Sequence, residues 1–235
     1  MKYYELKIST QLKAPIHFQK SPEAISKLIA TALINSGYKE HSSKKIKNYV
    51  FSNLGRANKN GLYEKEGSFY FRSFDKELAM MAAKSLMFYE DNIFKIKSIE
   101  NKSINFEPIE VLYSQSPVFV VTKSKDFWTI NRSGDIGELL ELLQNNLVKK
   151  YKDITGEELK PSHNFIQALQ IKNEKPFTLM YKGVKFFGNK FYLEIREDEI
   201  SQKLAFTALG AGLGVKNSSV GGGFCIKLKK SDKLK

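Results

Sequence analysis

Residues 3–37 read YYELKISTQLKAPIHFQKSPEAISKLIATALINSG. In residues 3–10 apolar side chains recur at every second position, Tyr4, Leu6 and Ile8, the period of a half-buried strand. After Ser21 the period changes. Ala24, Ile25, Leu28, Ile29, Ala32 and Leu33 form one stripe at helical spacing. Ser21 is the expected N-cap, Pro22 suits the first helical position, and Gly37 suits the C-terminal cap. A strand followed by such a helix asks what comes next. Two further strands are expected near residues 49–54 and 68–74, joined by a Gly/Asn/Lys-rich loop. Asp75 can cap a second helix that turns Leu78, Met81, Ala82 and Leu86 inward. A strand near residues 94–99 closes the unit, and residues 109–113 either extend it or form another. The order βαββαβ is the ferredoxin-like motif.

The second half repeats the order without repeating the sequence. Residues 117–122 and 127–131 read as a hairpin-like opening. A helix follows with Ile136, Leu139, Leu140, Leu143 and Leu147 on one face, ending in Lys149, Lys150 and Lys152, which complement its dipole. Strands are expected near 165–172, 177–187 and 190–196, then a helix over about 197–209 and a last strand near 224–228. The fold class is therefore α+β, two tandem ferredoxin-like units. The expected domains are residues 1–113 and 114–235, without a low-complexity linker between them.

Composition narrows the function. The chain carries 38 Lys plus Arg against 25 Asp plus Glu, a formal net charge of +13. Such an excess favours a polyanionic partner, nucleic acid before membrane, because no strongly basic amphipathic helix is present. No apolar run approaches the ~20 residues that span a bilayer, and the N-terminus lacks a signal-peptide apolar block, so a cytoplasmic protein without a membrane partner is expected. Cys225 is the one cysteine, which excludes an internal disulfide and a Cys-based zinc cluster. His17, His41 and His163 lie far apart and match no metal-ligand spacing. No metal and no cofactor are expected.

The most specific stretch lies between the last helix and the last strand. Residues 210–223 hold six glycines, Gly210, Gly212, Gly214, Gly221, Gly222 and Gly223, together with Lys216, Asn217 and Ser218. Such a backbone can turn tightly and come close to a ligand, and its N–H groups can form an anion-binding concavity. The segment does not fit GxGxxG or the Walker pattern, and both of those run strand, loop, helix rather than helix, loop, strand. Its bland reading is a flexible connection. Taken with the net charge, a cradle for an RNA backbone is the better reading.

The same segment, GLGVKNSSVGGGFC over residues 212–225, resembles the C-terminal signature of the CRISPR repeat endoribonucleases, the Cas-six family of repeat-associated proteins. Their pattern is roughly GxGxKNSxGFG. Here two residues are added and Cys225 stands where the pattern ends in glycine. The tandem ferredoxin-like order fits the same family, as do YVFSNL at residues 49–54 and Ser116-Pro117. The resemblance implies a catalytic His just after the first helix with a Lys a few residues on. His41 holds that place, with Lys47 as helper and Lys44 or Lys45 as substitutes. Some members place a Tyr one residue after a Leu-Ile pair in the first helix, whereas Leu28-Ile29 is followed here by Ala30.

The resemblance further implies a metal-independent endoribonuclease that cuts precursor CRISPR RNA within the repeat. Its products would be 2′,3′-cyclic phosphate and 5′-OH ends. CRISPR repeat RNA is the implied partner, with effector-complex subunits beside it. Gly212, Gly214, Lys216, Asn217 and Ser218 are the expected RNA-backbone contacts, with Gly221, Gly222 and Gly223 shaping the loop. On this reading Gly214→Val weakens repeat binding more than it lowers the melting temperature. Aromatic residues of the strands, Phe69, Tyr70, Phe71, Phe186, Phe187, Phe191 and Tyr192, are candidates for stacking bases, with core packing as the ordinary alternative. Two other functions compete: a non-catalytic CRISPR RNA-binding subunit of the same fold, and an unrelated enzyme whose glycine loop holds a small phosphorylated ligand.

Overall fold

The computed structural model describes residues 1–38 and 47–232. They divide into two compact units. Unit 1 comprises Met1–Asn105 with Ser218–Gly221, and unit 2 comprises Phe106–Asn217 with Gly222–Lys235. Each is a ferredoxin-like βαββαβ unit with extra short hairpins.

In unit 1, β1 (Lys2–Leu12), α1 (Ser21–Asn35), β3 (Tyr49–Phe51), β5 (Glu66–Ser73), α2 (Lys76–Met87) and β6 (Phe94–Asn105) supply the motif. A small ladder of β2 (Ile16–His17) with β4 (Leu62–Tyr63) decorates it. The sheet order is β3-β5-β1-β6, antiparallel throughout, so the first and third strands of the motif lie at the centre. Leu6 and Ile8 of β1 and Phe69 and Phe71 of β5 meet the inner stripes of both helices, Ile25, Leu28, Ile29, Ala32 and Leu33 from α1 and Leu78, Ala79, Ala82 and Leu86 from α2. Burial of these side chains supplies the main drive for the unit, ~1.5–3 kcal/mol for each large one.

Asp75 caps α2 as its sequence implies, its carboxylate accepting from the Leu78 N–H. At α1 the cap differs. The helix begins at Ser21 itself, and Lys20 is an N-cap without a side-chain bond. Ser21 Oγ instead donates to Phe18 O and to Asn53 Oδ1, tying the helix start to the chain after β3. At the other end Gly37 has φ 84°. Tyr38 N–H donates to Leu33 O and Gly37 N–H to Ile34 O, the paired bonds of a Schellman cap. The chain therefore leaves α1 in a fixed direction.

Unit 2 uses β7 (Val111–Ser114), α3 (Ile136–Thr155), β8 (Ile166–Ile171), β11 (Phe191–Ile195), α4 (Glu199–Ala211) and β12 (Cys225–Leu228), in sheet order β12-β7-β11-β8. The boundary expected near Ser114 falls between Asn105 and Phe106, because residues 111–114 pair with β11 and β12 and so open the second sheet. Residues 117–131 make the hairpin-like opening with little regular strand: Val121 bridges Phe127 antiparallel and Trp128 N–H donates to Val120 O, while Val118 bridges Asn189. The single strand expected over 177–187 is two, β9 (Phe177–Tyr181) and β10 (Val184–Gly188), turning at Lys182-Gly183. Trp128 is packing, as its sequence context suggests: it is buried, and its Nε1–H donates to Asp135 O, the N-cap of α3, at 2.8 Å. Among the described residues no helix is long and apolar enough to cross a membrane.

Candidate nucleic-acid interface

The glycine-rich segment leaves α4 at Gly212 (φ 83°) and passes through the four-residue helix α5 (Asn217–Val220) before entering β12. In unit 2 it is tied down by its own backbone. Val215 N–H donates to Phe119 O at 2.8 Å, Leu213 N–H to Gly223 O at 2.9 Å, and Gly223 N–H to Pro117 O at 2.8 Å. These approaches are why glycine is needed. A Cβ on Gly223 would stand 1.9 Å from Leu213 O, and one on Gly214 2.5 Å from Phe119 O. Gly221, which belongs to unit 1, would meet Phe51 O at 2.5 Å.

The glycines thus have an intramolecular reason that the sequence did not disclose. Gly212, Gly214, Asn217, Gly221, Gly222 and Gly223 are buried, Ser218 is half-buried, and Lys216 is exposed. The expected balance for Gly214→Val is corrected accordingly. With φ 69° and a backbone oxygen in the way, a side chain there strains the fold first. Gly214→Ala is expected to destabilise unit 2 by at least about 2 kcal/mol, from the left-handed penalty and the clash together. Thermal denaturation checks this, and an unchanged Tm would overturn it.

The residue that organises the segment is Lys150, in α3. Its Nζ donates to Gly212 O at 2.6 Å, Gly214 O at 2.8 Å and Asn217 Oδ1 at 2.8 Å. Three oxygens meet the three protons of an ammonium. Asn217 completes the knot, its Nδ2 donating to Gly222 O at 2.7 Å and Leu213 O at 3.2 Å. Burial pushes the Lys150 pKa down to about 7, partly offset by the Cys225 side chain nearby. Lys150 does not serve as a helix-end charge; Lys152 fills that role in the last turn. The clue in the sequence was its place on the apolar stripe, three residues after Leu147 and eleven after Leu139.

The aromatic candidates sort by burial. Phe69, Phe71, Phe186 and Phe191 are core, whereas Tyr70, Phe187 and Tyr192 are half-buried. His41, Lys44 and Lys45 lie outside the described residues. Lys47 is half-buried in unit 1, and its carbonyl accepts from the Tyr49 N–H at 2.8 Å where the chain enters β3. His17 accepts a bond from the Gln19 N–H at Nδ1 and lies 4.7 Å from the Phe18 ring. His163 bonds Ser162 Oγ at 3.0 Å through Nδ1 and Asp198 Oδ2 at 2.9 Å through Nε2. Asp198 is also the N-cap of α4. Partial burial works against its charge, but its bonds from Ser201 and His163 outweigh that and hold the carboxyl at about 2.

Comparison with known proteins agrees with this architecture. The family model described as CRISPR associated protein Cas6, C-terminal, matches residues 94–225. No curated protein matches the chain. Among solved structures, a Cas6-related gene product from Pyrococcus furiosus is 16% identical with a TM-score of 0.71, covering 97% of this chain and 100% of that one. A RAMP protein described as binding different RNA substrates is 17% identical at a TM-score of 0.71, covering 96% and 100%. Thermus thermophilus Cas6 is 10% identical at 0.62, covering 96% and 98%. The family match takes in β6, the whole second motif as far as Cys225, and the glycine segment with the knot around Lys150. The chain belongs to the Cas6 family of CRISPR-associated proteins, a family of CRISPR RNA processing and binding.

Proposed function

We propose that this chain is a metal-independent endoribonuclease that cuts precursor CRISPR RNA once within each repeat. The observation that carries the reading is the Cas6 family match over residues 94–225, which contains the GLGVKNSS core. RNA holds its own nucleophile. The 2′-oxygen attacks the adjacent phosphorus, the P–O5′ bond breaks, and the proton lost from the 2′-OH is balanced by one gained at the 5′-oxygen. The products are a 2′,3′-cyclic phosphate and a 5′-OH. His41 moves one of these protons, since an imidazole, which ordinarily titrates at about 6.5, can give or take one near neutrality. Lys47, or Lys44 or Lys45 in its place, meets the charge that develops on the non-bridging oxygens. Lys216, exposed, and Ser218, half-buried, hold the RNA backbone, whereas Gly212, Gly214 and Asn217, expected as contacts, are buried and bonded within the chain and, with Gly221, Gly222 and Gly223, set the shape of the loop.

A second reading is a non-catalytic subunit that binds CRISPR RNA. It is favoured by the RAMP protein of the same fold that is described as binding RNA substrates. One experiment separates the two. The purified protein is incubated with end-labelled repeat RNA in excess EDTA. A single cut leaving a cyclic phosphate is the expected result. Tight binding without a cut, with or without added divalent metal, selects the binding subunit, and a cut that EDTA abolishes refutes the metal-independent mechanism.

A further inference from the structure

Among the described residues three non-glycine positions have positive φ, Lys125 at 68°, Lys182 at 49° and Lys216 at 66°. All three are lysines, all are exposed, and all belong to unit 2. Turns select Gly, Asn or Asp for this conformation, because a Cβ crowds the backbone there and only short polar side chains repay it locally. Lysine has no such local return. Lys182 makes the case plainly. With Gly183 (φ 78°) it forms the two-residue turn of the β9–β10 hairpin, where Asn-Gly is the favoured pair. Lys125 sits in a turn closed by its own N–H to Thr122 O at 3.0 Å and by Thr122 N–H to Asp126 O at 2.8 Å. Lys216 follows Val215, which is bridged to Phe119.

The three turns share one neighbourhood. Lys216 Nζ lies 5.0 Å from the centre of the Phe186 ring, and Lys182 Nζ 5.5 Å from that of Tyr181. The Tyr181 and Phe186 rings are 6.2 Å apart. Phe127, two residues after Lys125, is 5.3 Å from Phe186 and 6.1 Å from Phe119. Arg132 over Phe187 and Lys190 over Phe177 bring two more cations to the same hairpin. Four of the six described cation–aromatic pairs therefore fall on its rings. Neither Lys125 nor Lys182 has an ion pair among the described residues.

We infer that Lys125, Lys182 and Lys216 form a cationic rim around the Phe119–Phe127–Tyr181–Phe186 cluster and grip phosphates of the repeat RNA. This rests on the reading that the chain binds CRISPR RNA, and it extends that contact from the glycine segment to the β9–β10 hairpin and the 122–126 turn. Backbone strain persists where function holds it in place. A lysine at each tip puts a point charge at the end of a long stem, away from its own turn, where a phosphate can meet it.

The test uses the strain itself. Replacing the three lysines together (K125G, K182G, K216G) relieves the backbone while removing the charges. The control removes three exposed lysines of the unit 1 helices, as K27Q, K76Q and K84Q, for the same change in net charge. Binding of labelled repeat RNA is measured against salt. Each lost phosphate contact makes the slope of log K on log salt shallower by about 0.7–0.9, so the triple glycine variant should lose about 2–3 from the slope. Its binding deficit then grows at least about 100-fold for each tenfold dilution of salt. Its Tm should equal or exceed that of the parent, and the control should keep the parent's slope. A matched set with asparagine at the three positions, which tolerates left-handed φ, guards against excess flexibility. Parent-like binding by the glycine and asparagine variants, or an equal loss in the control, overturns the rim. Failure of the parent protein to bind repeat RNA overturns the functional reading and the rim with it.

Discussion

Replacing His41 with Ala should lower single-turnover cleavage of repeat RNA by about two to four orders of magnitude, the usual share of one acid–base group. Binding should change by less than about threefold, because a neutral imidazole adds little to an affinity dominated by phosphate contacts. The other two histidines are the controls, and the structure gives both of them other work. His17 is hydrogen-bonded within the β2 turn and packed on Phe18. His163 braces Asp198 at the start of α4. Their Ala variants should cleave almost normally, and His163→Ala should lose part of the α4 cap's support in thermal stability. Lys47→Ala should be slower than the parent but less impaired than His41→Ala if Lys44 or Lys45 can reach the phosphate. In sequence His41 comes four residues after Gly37, where a Schellman cap ends α1. Full activity in His41→Ala, free of contaminating nuclease, would sink the assignment and leave the binding subunit in front.

Much of the fold was legible because its elements are amphipathic in the ordinary way. The stripe from Ile25 to Leu33 and the alternation in residues 4–8 both name their buried faces. What was misread has specific causes. β6 runs on to Asn105 past the expected end at residue 99, since its later residues are mostly exposed and carry no apolar period. The Lys182-Gly183 turn was invisible because lysine is a poor signal for positive φ. The same three lysines that defeat turn rules are the ones that mark the proposed rim. The glycine segment was legible as a place of close backbone approach. The partner at that approach, though, is the chain itself, at Phe119, Leu213 and Phe51. A composition rich in glycine says that something comes near and does not say what. By residue type alone Lys150 reads as a helix-end charge, but its helical position puts it on the buried face of α3.

Lys150 therefore supplies a decisive test of how the interface is built. Lys150→Met keeps the length and apolar stem of the side chain and removes the ammonium. Gly212 O, Gly214 O and Asn217 Oδ1 would each lose their donor in a site closed to solvent. A buried acceptor left without its donor typically costs about 1–3 kcal/mol. Lys150→Arg should not rescue, since a planar fork cannot match three oxygens arranged around one nitrogen. The pH dependence carries a second signature. The folded-state pKa of about 7 lies below the usual 10.5 of lysine. Between those values the unfolded chain binds more protons at this group than the folded one, so its contribution makes stability rise with pH across the window. Below about 7 both states are protonated and the contribution is flat. The slope should approach about 1 kcal/mol per pH unit in the parent and be absent from Lys150→Met. Denaturant unfolding at pH 6, 8 and 9.5 reads both effects. Equal stabilities, or the same pH slope in parent and variant, would show that the glycine segment holds its shape without Lys150. If the loss is found, repeat binding should fall with it even well below the Tm, because in the proposed interface the loop that Lys150 ties down carries Lys216 to the RNA.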